Sequence, residues 1–215
     1  MLINKYTITL FALLVNSVLC EAYDFKFKGI CYNICGNSAV VTYPNSLEPN
    51  EVNPSLYKGK INIPSSVNIN GTEYTVRSVG EKAFSYSNVE DVCLPNTIDS
   101  IKDESFAYCK KITEINFPKS LLYIGARAFE HTTSLNTVLF EDSLSEIADM
   151  AFYGSSLKEI FLNTPTPPQI VENTFSSKLS LYVKANKIEC YQNSVWKQSA
   201  NIYMNKDATY NYADF

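Results

Sequence analysis

Histidine and glycine are scarce in this chain of 215 residues, which contains one histidine and seven glycines. A single histidine, His131, cannot supply the paired imidazoles of common metal centres, and no nucleophile or acid stands at a recognisable catalytic spacing from it. No phosphate-cradling glycine motif occurs. The sequence therefore predicts no enzyme, no cofactor and no metal site, and His131 is expected to be an exposed residue of a turn.

Basic residues are also too few for a phosphate-binding surface. The chain has 18 Lys and Arg against 22 Asp and Glu, a net charge of -4, and no basic cluster. Proteins that follow nucleic acid need a positive patch, so nucleic acid is not an expected partner. Hydrophobic residues make up 46% of the chain, which is typical of a globular protein rather than a disordered one.

The first 22 residues have the pattern of a secretory signal peptide. Lys5 provides a short positive region, and Leu10–Val15 is an apolar stretch too short to cross a bilayer. Cleavage after Cys20 or Ala22 would give a secreted or cell-surface protein without a transmembrane span. A lipid anchor at Cys20 is an alternative, although the residues before it fit a lipidation signal poorly. A retained membrane anchor is the other alternative.

The cysteines beyond residue 22 contain no Cys-x-x-Cys pair. Cys31 and Cys35 would lie about 13 Å apart in an extended stretch, which is too far for a disulfide. An odd and scattered set predicts buried free thiols rather than a disulfide framework. The set comprises Cys31, Cys35, Cys93, Cys109 and Cys190.

A phenylalanine that follows a small residue, most often alanine, recurs at a nearly fixed interval. Successive copies are separated by 22, 23, 23 and 23 residues, and they are Phe84, Phe106, Phe129, Phe152 and Phe175. A period in the low twenties is typical of a solenoid. A short stretch of alternating apolar residues follows each copy, which predicts one half-buried strand per repeat. The phenylalanines are expected to form a structural ladder inside the solenoid, carried by a turn or a short helical segment.

The alternation in these strands also predicts which side chains point outward. One outward column contains Asp91, Glu114, Thr137, Glu159 and Ser180, and the other contains Cys93, Asn116, Leu139, Phe161 and Tyr182. The face should become more aromatic toward the C-terminal repeats, and exposed aromatic residues on a rigid sheet are typical interface anchors. The alternative is that the C-terminal cap or the loop at Pro165–Pro168 covers them.

Two motifs define the repeat more closely. Residues 124–129 read Ile-Gly-Ala-Arg-Ala-Phe, and residues 112–118 read Ile-Thr-Glu-Ile-Asn-Phe-Pro. Both motifs resemble the BspA-like leucine-rich repeat family, over about residues 57–184 and about five to six repeats of 22–23 residues. The resemblance implies an α/β repeat protein, a short leucine-rich-repeat solenoid with a parallel β-sheet on one face.

The segments on either side of the array do not repeat. Residues 23–56 are expected to form an N-terminal β-hairpin cap, because two alternating stretches flank a turn at residues 36–38. Residues 185–215 are expected to form a C-terminal helical cap and tail. Asn186 and Glu189 resemble a capping box, Trp196 is placed to close the last repeat, and residues 200–204 could form a short strand.

The predicted function is binding without catalysis. The family resemblance implies an exported protein that adheres to a host matrix protein or to another bacterium, and we expect a monomer. A structural or accessory role in the cell envelope, without a host ligand, is the alternative. Hydrolysis of a polysaccharide would need an apposed pair of acids, which the sequence does not place. The candidate binding face comprises Glu114, Asn116, Leu139, Glu159, Phe161 and Tyr182.

Overall fold

The computed structural model describes residues 23–205 of the chain. The expected signal peptide at residues 1–22, with Cys20, and the tail at residues 206–215 lie outside the described residues. In chain order the strands are β1 (Phe25–Phe27), β2 (Ile30–Cys35), β3 (Ser38–Thr42), β4 (Lys58–Asn62), β5 (Ser66–Ile69), β6 (Thr72–Val79), β7 (Asn88–Cys93), β8 (Ser100–Ile101), β9 (Glu114–Ile115), β10 (Tyr123–Ile124), β11 (Thr137–Phe140), β12 (Glu146–Ile147), β13 (Glu159–Leu162), β14 (Leu179–Val183) and β15 (Ala200–Met204). A 3-10 turn (Ala185–Lys187) and two short helices, α1 (Ile188–Gln192) and α2 (Trp196–Ser199), lie between β14 and β15.

The chain winds into a solenoid whose repeats stack through parallel strands. The front sheet consists of β4-β7-β9 and, beyond an interruption, β11-β13-β14-β15. The back sheet has the order β1-β2-β3-β6-β8-β10-β12, with β5 paired to β6. The predicted solenoid with a parallel sheet is confirmed. The back sheet was not predicted, because its repeat strands have only two residues each, too few for alternation to be visible.

The ladder phenylalanines stack through the interior. Ring centroids from Phe84 to Phe152 are separated by 4.9, 5.1 and 5.1 Å, with interplanar angles of 3°, 9° and 5°. Phe175 follows at 5.8 Å. Tyr57 stands against Phe84 at 4.7 Å and Trp196 against Phe175 at 5.6 Å, so a different aromatic residue closes each end of the ladder.

The ladder residues lie in turns rather than helices. The backbone N–H of each ladder phenylalanine from Phe84 to Phe152 donates to the carbonyl of the small residue in the next repeat. Examples are Phe84 to Ser105 at 2.8 Å and Phe129 to Ala151 at 2.7 Å. A left-handed backbone conformation occurs two residues before and two residues after the rings, which bends the chain tightly enough for these bonds. These residues are Lys82, Glu104, Arg127 and Met150 before the rings, and Tyr86, Tyr108, His131 and Gly154 after them.

His131 occupies a turn, as predicted, but it is half-buried rather than exposed. The stacking of repeats explains this, because it places the His131 ring 4.8 Å from the ring of Tyr108 in the preceding repeat. Gly154, at the same position of the following repeat, lies against the His131 ring.

Gly125 lies where neighbouring repeats approach each other closely. A Cβ atom at this position would come within 2.6 Å of the backbone nitrogen of Asp103 and of the carbonyl carbon of Lys102. We expect Gly125→Ala to lower the free energy of unfolding by about 1–3 kcal/mol, because the backbone must shift to admit the methyl group. Urea denaturation measures the change. The control is Lys102→Ala, which changes an exposed residue at the corresponding position one repeat earlier. It should leave the free energy of unfolding nearly unchanged. Equal stability of the two variants would contradict this account.

The N-terminal strands extend the back sheet at its end next to β6. β1, β2 and β3 are antiparallel, and β3 joins β6 in parallel. The phenol of Tyr57 connects this cap to the ladder: it accepts a hydrogen bond from the N–H of Cys31 at 2.8 Å and donates one to the carbonyl of Thr42 at 2.7 Å. Burial is the main reason that the pKa of Tyr57 is raised well above its usual value.

The C-terminal cap is helical, but its details differ from the prediction. The helix is split into α1 and α2, and the capping box at Asn186 and Glu189 is wrong, because the N-cap of α1 is Lys187 without a side-chain hydrogen bond. Trp196 closes the last repeat as predicted, and its indole N–H donates to the carbonyl of Pro168 at 2.8 Å. The expected strand at residues 200–204 is β15, which adds one strand to the front sheet.

The cysteines of the described region form no disulfide with one another. Cys31 and Cys109 are buried as predicted, and burial raises the pKa of the Cys109 thiol to about 12. The prediction of burial is wrong for Cys35, Cys93 and Cys190, which are exposed. Cys93 is exposed because it is an outward residue at the end of β7.

Candidate functional site

The outward face of the front sheet carries an aligned apolar column. Leu139, Phe161, Tyr182 and Tyr203 are register partners on β11, β13, β14 and β15. The Phe161 and Tyr182 rings stack at 4.7 Å, and the Tyr182 and Tyr203 rings at 5.6 Å. Tyr203 was missed as a member of this column, although the predicted strand at residues 200–204 was a signal for it. We call these four residues the aromatic column.

Exposure varies strongly along the aromatic column. Leu139 and Phe161 are each only 6% exposed, whereas Tyr182 is half-buried and Tyr203 is 46% exposed. Leu139 and Phe161 are nevertheless not part of the contiguous interior cluster, which contains their inward neighbours Val138 and Phe140 on β11 and Ile160 and Leu162 on β13. The column therefore offers open aromatic surface mainly at its C-terminal end.

The described part of the C-terminal cap, residues 185–205, packs against the end of the ladder. Trp196 contacts Phe175 of the ladder, and the hydroxyl of Tyr191 is 2.5 Å from that of Thr164. The carbonyl of Pro168, in the loop at Pro165–Pro168, is bonded to the Trp196 indole. These contacts bind the helices and the loop to the end of the solenoid.

Charged side chains form the other outward column. Lys60 Nζ lies 2.5 Å from the Asp91 carboxylate, and this hydrogen bond raises the pKa of the Lys60 ammonium above its usual value. Glu114 is exposed beside them in register with Asp91. Glu159 accepts hydrogen bonds from the hydroxyls of Thr137 at 3.4 Å and Tyr182 at 3.3 Å. Partial burial is the larger cause, and the Glu159 charge the next, of a raised pKa for Tyr182.

Asn116 holds two repeats together with its side chain. The amide accepts a hydrogen bond from the backbone N–H of Leu94 at 2.7 Å and donates one to the carbonyl of Leu94 at 2.8 Å. The side chain thus takes the place of backbone pairing beyond Ile115, where β9 ends. Its polar atoms are occupied within the chain, which makes Asn116 a less accessible member of the predicted face than Glu114.

A concavity of about 370 Å³ opens where the front sheet is interrupted between β9 and β11. Its lining residues include Lys60, Asp91, Cys93, Glu114, Thr137 and Leu139. The site combines an apolar wall with the Lys60–Asp91 ion pair and the exposed Glu114. Such a combination suits recognition of a side chain or short segment with apolar and basic groups.

Residues 23–205 contain no cluster of three or more histidine, cysteine or acidic residues placed to hold a metal ion. In the same part of the chain, no helix combines the length and the apolar character needed to span a bilayer.

The stacked repeats, the parallel sheets and the ladder define a leucine-rich repeat solenoid. The sequence profile of the BspA type leucine rich repeat region (6 copies) matches residues 28–158 and 77–203. The chain belongs to this family. Leucine-rich repeats of this kind are typically scaffolds for protein binding rather than catalysts.

Solved structures of bacterial proteins share the fold. A leucine-rich repeat protein from Bacteroides capillosus is 27% identical over 65% of this chain and 97% of its own, with a TM-score of 0.55. A leucine rich repeat protein from T. pallidum is 21% identical over 84% of this chain and 83% of its own, with a TM-score of 0.59. The pneumococcal vaccine antigen PcpA is 20% identical over 76% of this chain and 50% of its own, with a TM-score of 0.53. No curated protein matches the chain significantly.

Proposed function

We propose that this chain is an exported, non-catalytic binding module that recognises a protein or cell-surface ligand through the front sheet. The observation that carries the proposal is the aromatic column beside the concavity, both on a rigid parallel sheet. The signal-like N-terminal sequence supports export, and the description of one similar structure as a vaccine antigen is consistent with it. The proposed partner is a host matrix protein or the surface of another bacterium, bound by a monomer.

The aromatic column and the concavity would contribute differently to binding. Tyr182 and Tyr203 present partly open rings, and aromatic residues of this kind commonly supply most of the affinity of an interface. Asp91 is paired with Lys60 at the concavity, so the exposed Glu114 is the carboxylate that would favour a basic partner, with more effect on the association rate than on the affinity. We therefore propose a ligand that presents an apolar or aromatic group close to a lysine or arginine.

A binding screen against host matrix proteins and bacterial surfaces tests this proposal. For any ligand found, Tyr182→Ser combined with Tyr203→Ser should weaken binding by about 30-fold, which corresponds to a loss of about 2 kcal/mol at a hot spot. Glu114→Lys should slow association, most visibly at low salt. Biolayer interferometry measures both effects.

Matched controls lie on other surfaces of the solenoid. Tyr153→Ser removes a ring that is 41% exposed in a turn, and Glu172→Lys reverses an exposed charge outside the front sheet. Both variants should bind as the parent does. Unchanged binding in the Tyr182 and Tyr203 variant would exclude the front sheet as the interface. Absence of any ligand together with concentration-dependent assembly would favour the structural role in the cell envelope.

A further inference from the structure

The break in the front sheet lies between two repeats that are otherwise stacked regularly. Their ladder rings, Phe106 and Phe129, are 5.1 Å apart, and their back strands β8 and β10 are paired. Within the described residues, β9 and β11 share no register pair, although β9 is paired with β7 and β11 with β13. The concavity is therefore a local opening of the front sheet and not a separation of the two repeats.

Asn116 explains why β9 turns away from β11. Its side-chain amide is bonded to both backbone groups of Leu94, and its backbone N–H donates to the carbonyl of Val92 at 3.4 Å. All three bonds lead to the β7 side. The contacts hold the opening in place, so a ligand that enters it does not have to separate paired strands.

The charged residues of the concavity leave one negative charge without a partner of opposite sign. Lys60 and Asp91 form an ion pair at 2.5 Å, whereas Glu114 is exposed. Ile115 and Leu139 line the same opening with apolar groups. A lysine or arginine side chain matches this combination, because it carries a single positive charge at the end of an apolar stem. A neutral ligand would leave the Glu114 carboxylate uncompensated.

The distance from the concavity to the open tyrosines sets the spacing of the ligand. Tyr182 on β14 is two strands beyond β11, and the concavity lies on the other side of β11, so the two are about 12 Å apart. Four residues of an extended chain span about 13 Å, and residues four positions apart point to the same side. A separation of two residues is too short, and a separation of three turns the side chains to opposite sides.

We propose that the front sheet binds an extended segment of a protein ligand in which a basic residue and an aromatic residue are four positions apart. The lysine or arginine enters the concavity beside Glu114, and the aromatic ring packs on Tyr182 and Tyr203. The residues between them cross Leu139 and Phe161, which are each only 6% exposed and offer little contact area. This inference rests on the proposed function, because it names the class of ligand for the same face.

Synthetic peptides test the charge and the spacing separately. The probe is the fluorescently labelled peptide Thr-Arg-Thr-Thr-Thr-Phe-Thr, and its binding to the whole protein is measured by fluorescence anisotropy. Thr-Gln-Thr-Thr-Thr-Phe-Thr removes the charge, and Thr-Arg-Thr-Thr-Phe-Thr-Thr shortens the spacing to three. Each control peptide should bind about 10-fold more weakly than the probe, as expected for the loss of one charged contact or one anchor.

Changes in the protein connect the arginine of the probe to Glu114. Glu114→Gln should weaken binding of the probe about 10-fold and leave binding of the glutamine peptide unchanged, because only the arginine faces the carboxylate. Glu172→Gln neutralises an exposed carboxylate outside the front sheet and should not change the affinity for either peptide. Equal affinity of the probe for Glu114→Gln and for the unmodified protein would overturn the inference. Equal affinity for the two spacings, or no binding of the probe at all, would also overturn it.

The same variants separate this inference from the proposed function. A ligand from the binding screen that depends on Tyr182 and Tyr203 but not on Glu114 supports the proposed function and overturns the inference, and so does a ligand that is a neutral glycan. If Tyr182→Ser with Tyr203→Ser changes the binding of no ligand, the front sheet is not the interface and both fail. Loss of binding in all three variants supports both.

Discussion

Replacing Phe129 by alanine is expected to lower the free energy of unfolding by about 3–5 kcal/mol. Phe129 is fully buried and stands 5.1 Å from both Phe106 and Phe152, with Phe117 at its edge at 5.6 Å. The neighbouring turns cannot close the cavity, because backbone hydrogen bonds fix the separation of the repeats, including that from Phe129 to Ala151 at 2.7 Å. Guanidinium denaturation followed by circular dichroism and by Trp196 fluorescence measures the loss.

Two further variants show whether the effect comes from the ladder. Phe129→Leu keeps much of the buried volume, so it should lower the free energy of unfolding clearly less than Phe129→Ala does. Tyr153→Ala removes a partly exposed ring beside Phe152 and should change stability by about 0.5 kcal/mol or less. If Phe129→Ala were no more destabilising than Tyr153→Ala, the ladder would not be the main stabilising element.

Replacing Trp196 by alanine is also expected to lower the free energy of unfolding by about 3–5 kcal/mol. This loss should be concentrated at the C-terminal end of the solenoid. Trp196 is fully buried against Phe175 and Tyr191, and its removal would leave the carbonyl of Pro168 without the indole donor. In a solenoid each repeat is stabilised mainly by its neighbours, so damage at one end should remain near that end. Hydrogen exchange should therefore increase first in β14 and β15 and least in β7 and β8.

Lys197→Ala is the matched control for this prediction. Lys197 is exposed and lies in the same short helix α2, so its replacement tests the helix without the interior contact. Hydrogen exchange in Lys197→Ala should equal that of the unmodified protein. A uniform increase over all repeats in Trp196→Ala would show that the solenoid unfolds as one cooperative unit, against the expectation of a local effect.

The sequence was most informative where a signal repeats. The spacing of the ladder residues and the alternation in the front strands predicted the solenoid and the direction of most side chains. The back strands, such as Tyr123–Ile124, could not be found because two residues show no period. A local pattern also gave a wrong prediction, because Asn186 and Glu189 have the spacing of a capping box but do not cap α1.

The candidate face was less predictable than the fold. Alternation indicates that a residue points outward, but it does not indicate what lies above the sheet, and so the sequence left open whether Leu139 and Phe161 are exposed or covered. For the same reason the pattern treated Asn116 as an available polar side chain, whereas its amide replaces backbone pairing with Leu94. Contacts between distant segments decide both cases, and a one-dimensional pattern contains no information about them.

The different aromatic residues at the two ends of the ladder constrain how such a protein can change its length. The Tyr57 phenol is bonded to the carbonyl of Thr42 in the N-terminal cap, and the Trp196 indole is bonded to the carbonyl of Pro168 in the loop at Pro165–Pro168. A phenylalanine in another stacked repeat could not make either bond. New repeats can therefore be accommodated only between existing ones. Gene duplications that lengthen this protein should insert a whole 22- or 23-residue unit internally and keep both terminal rings.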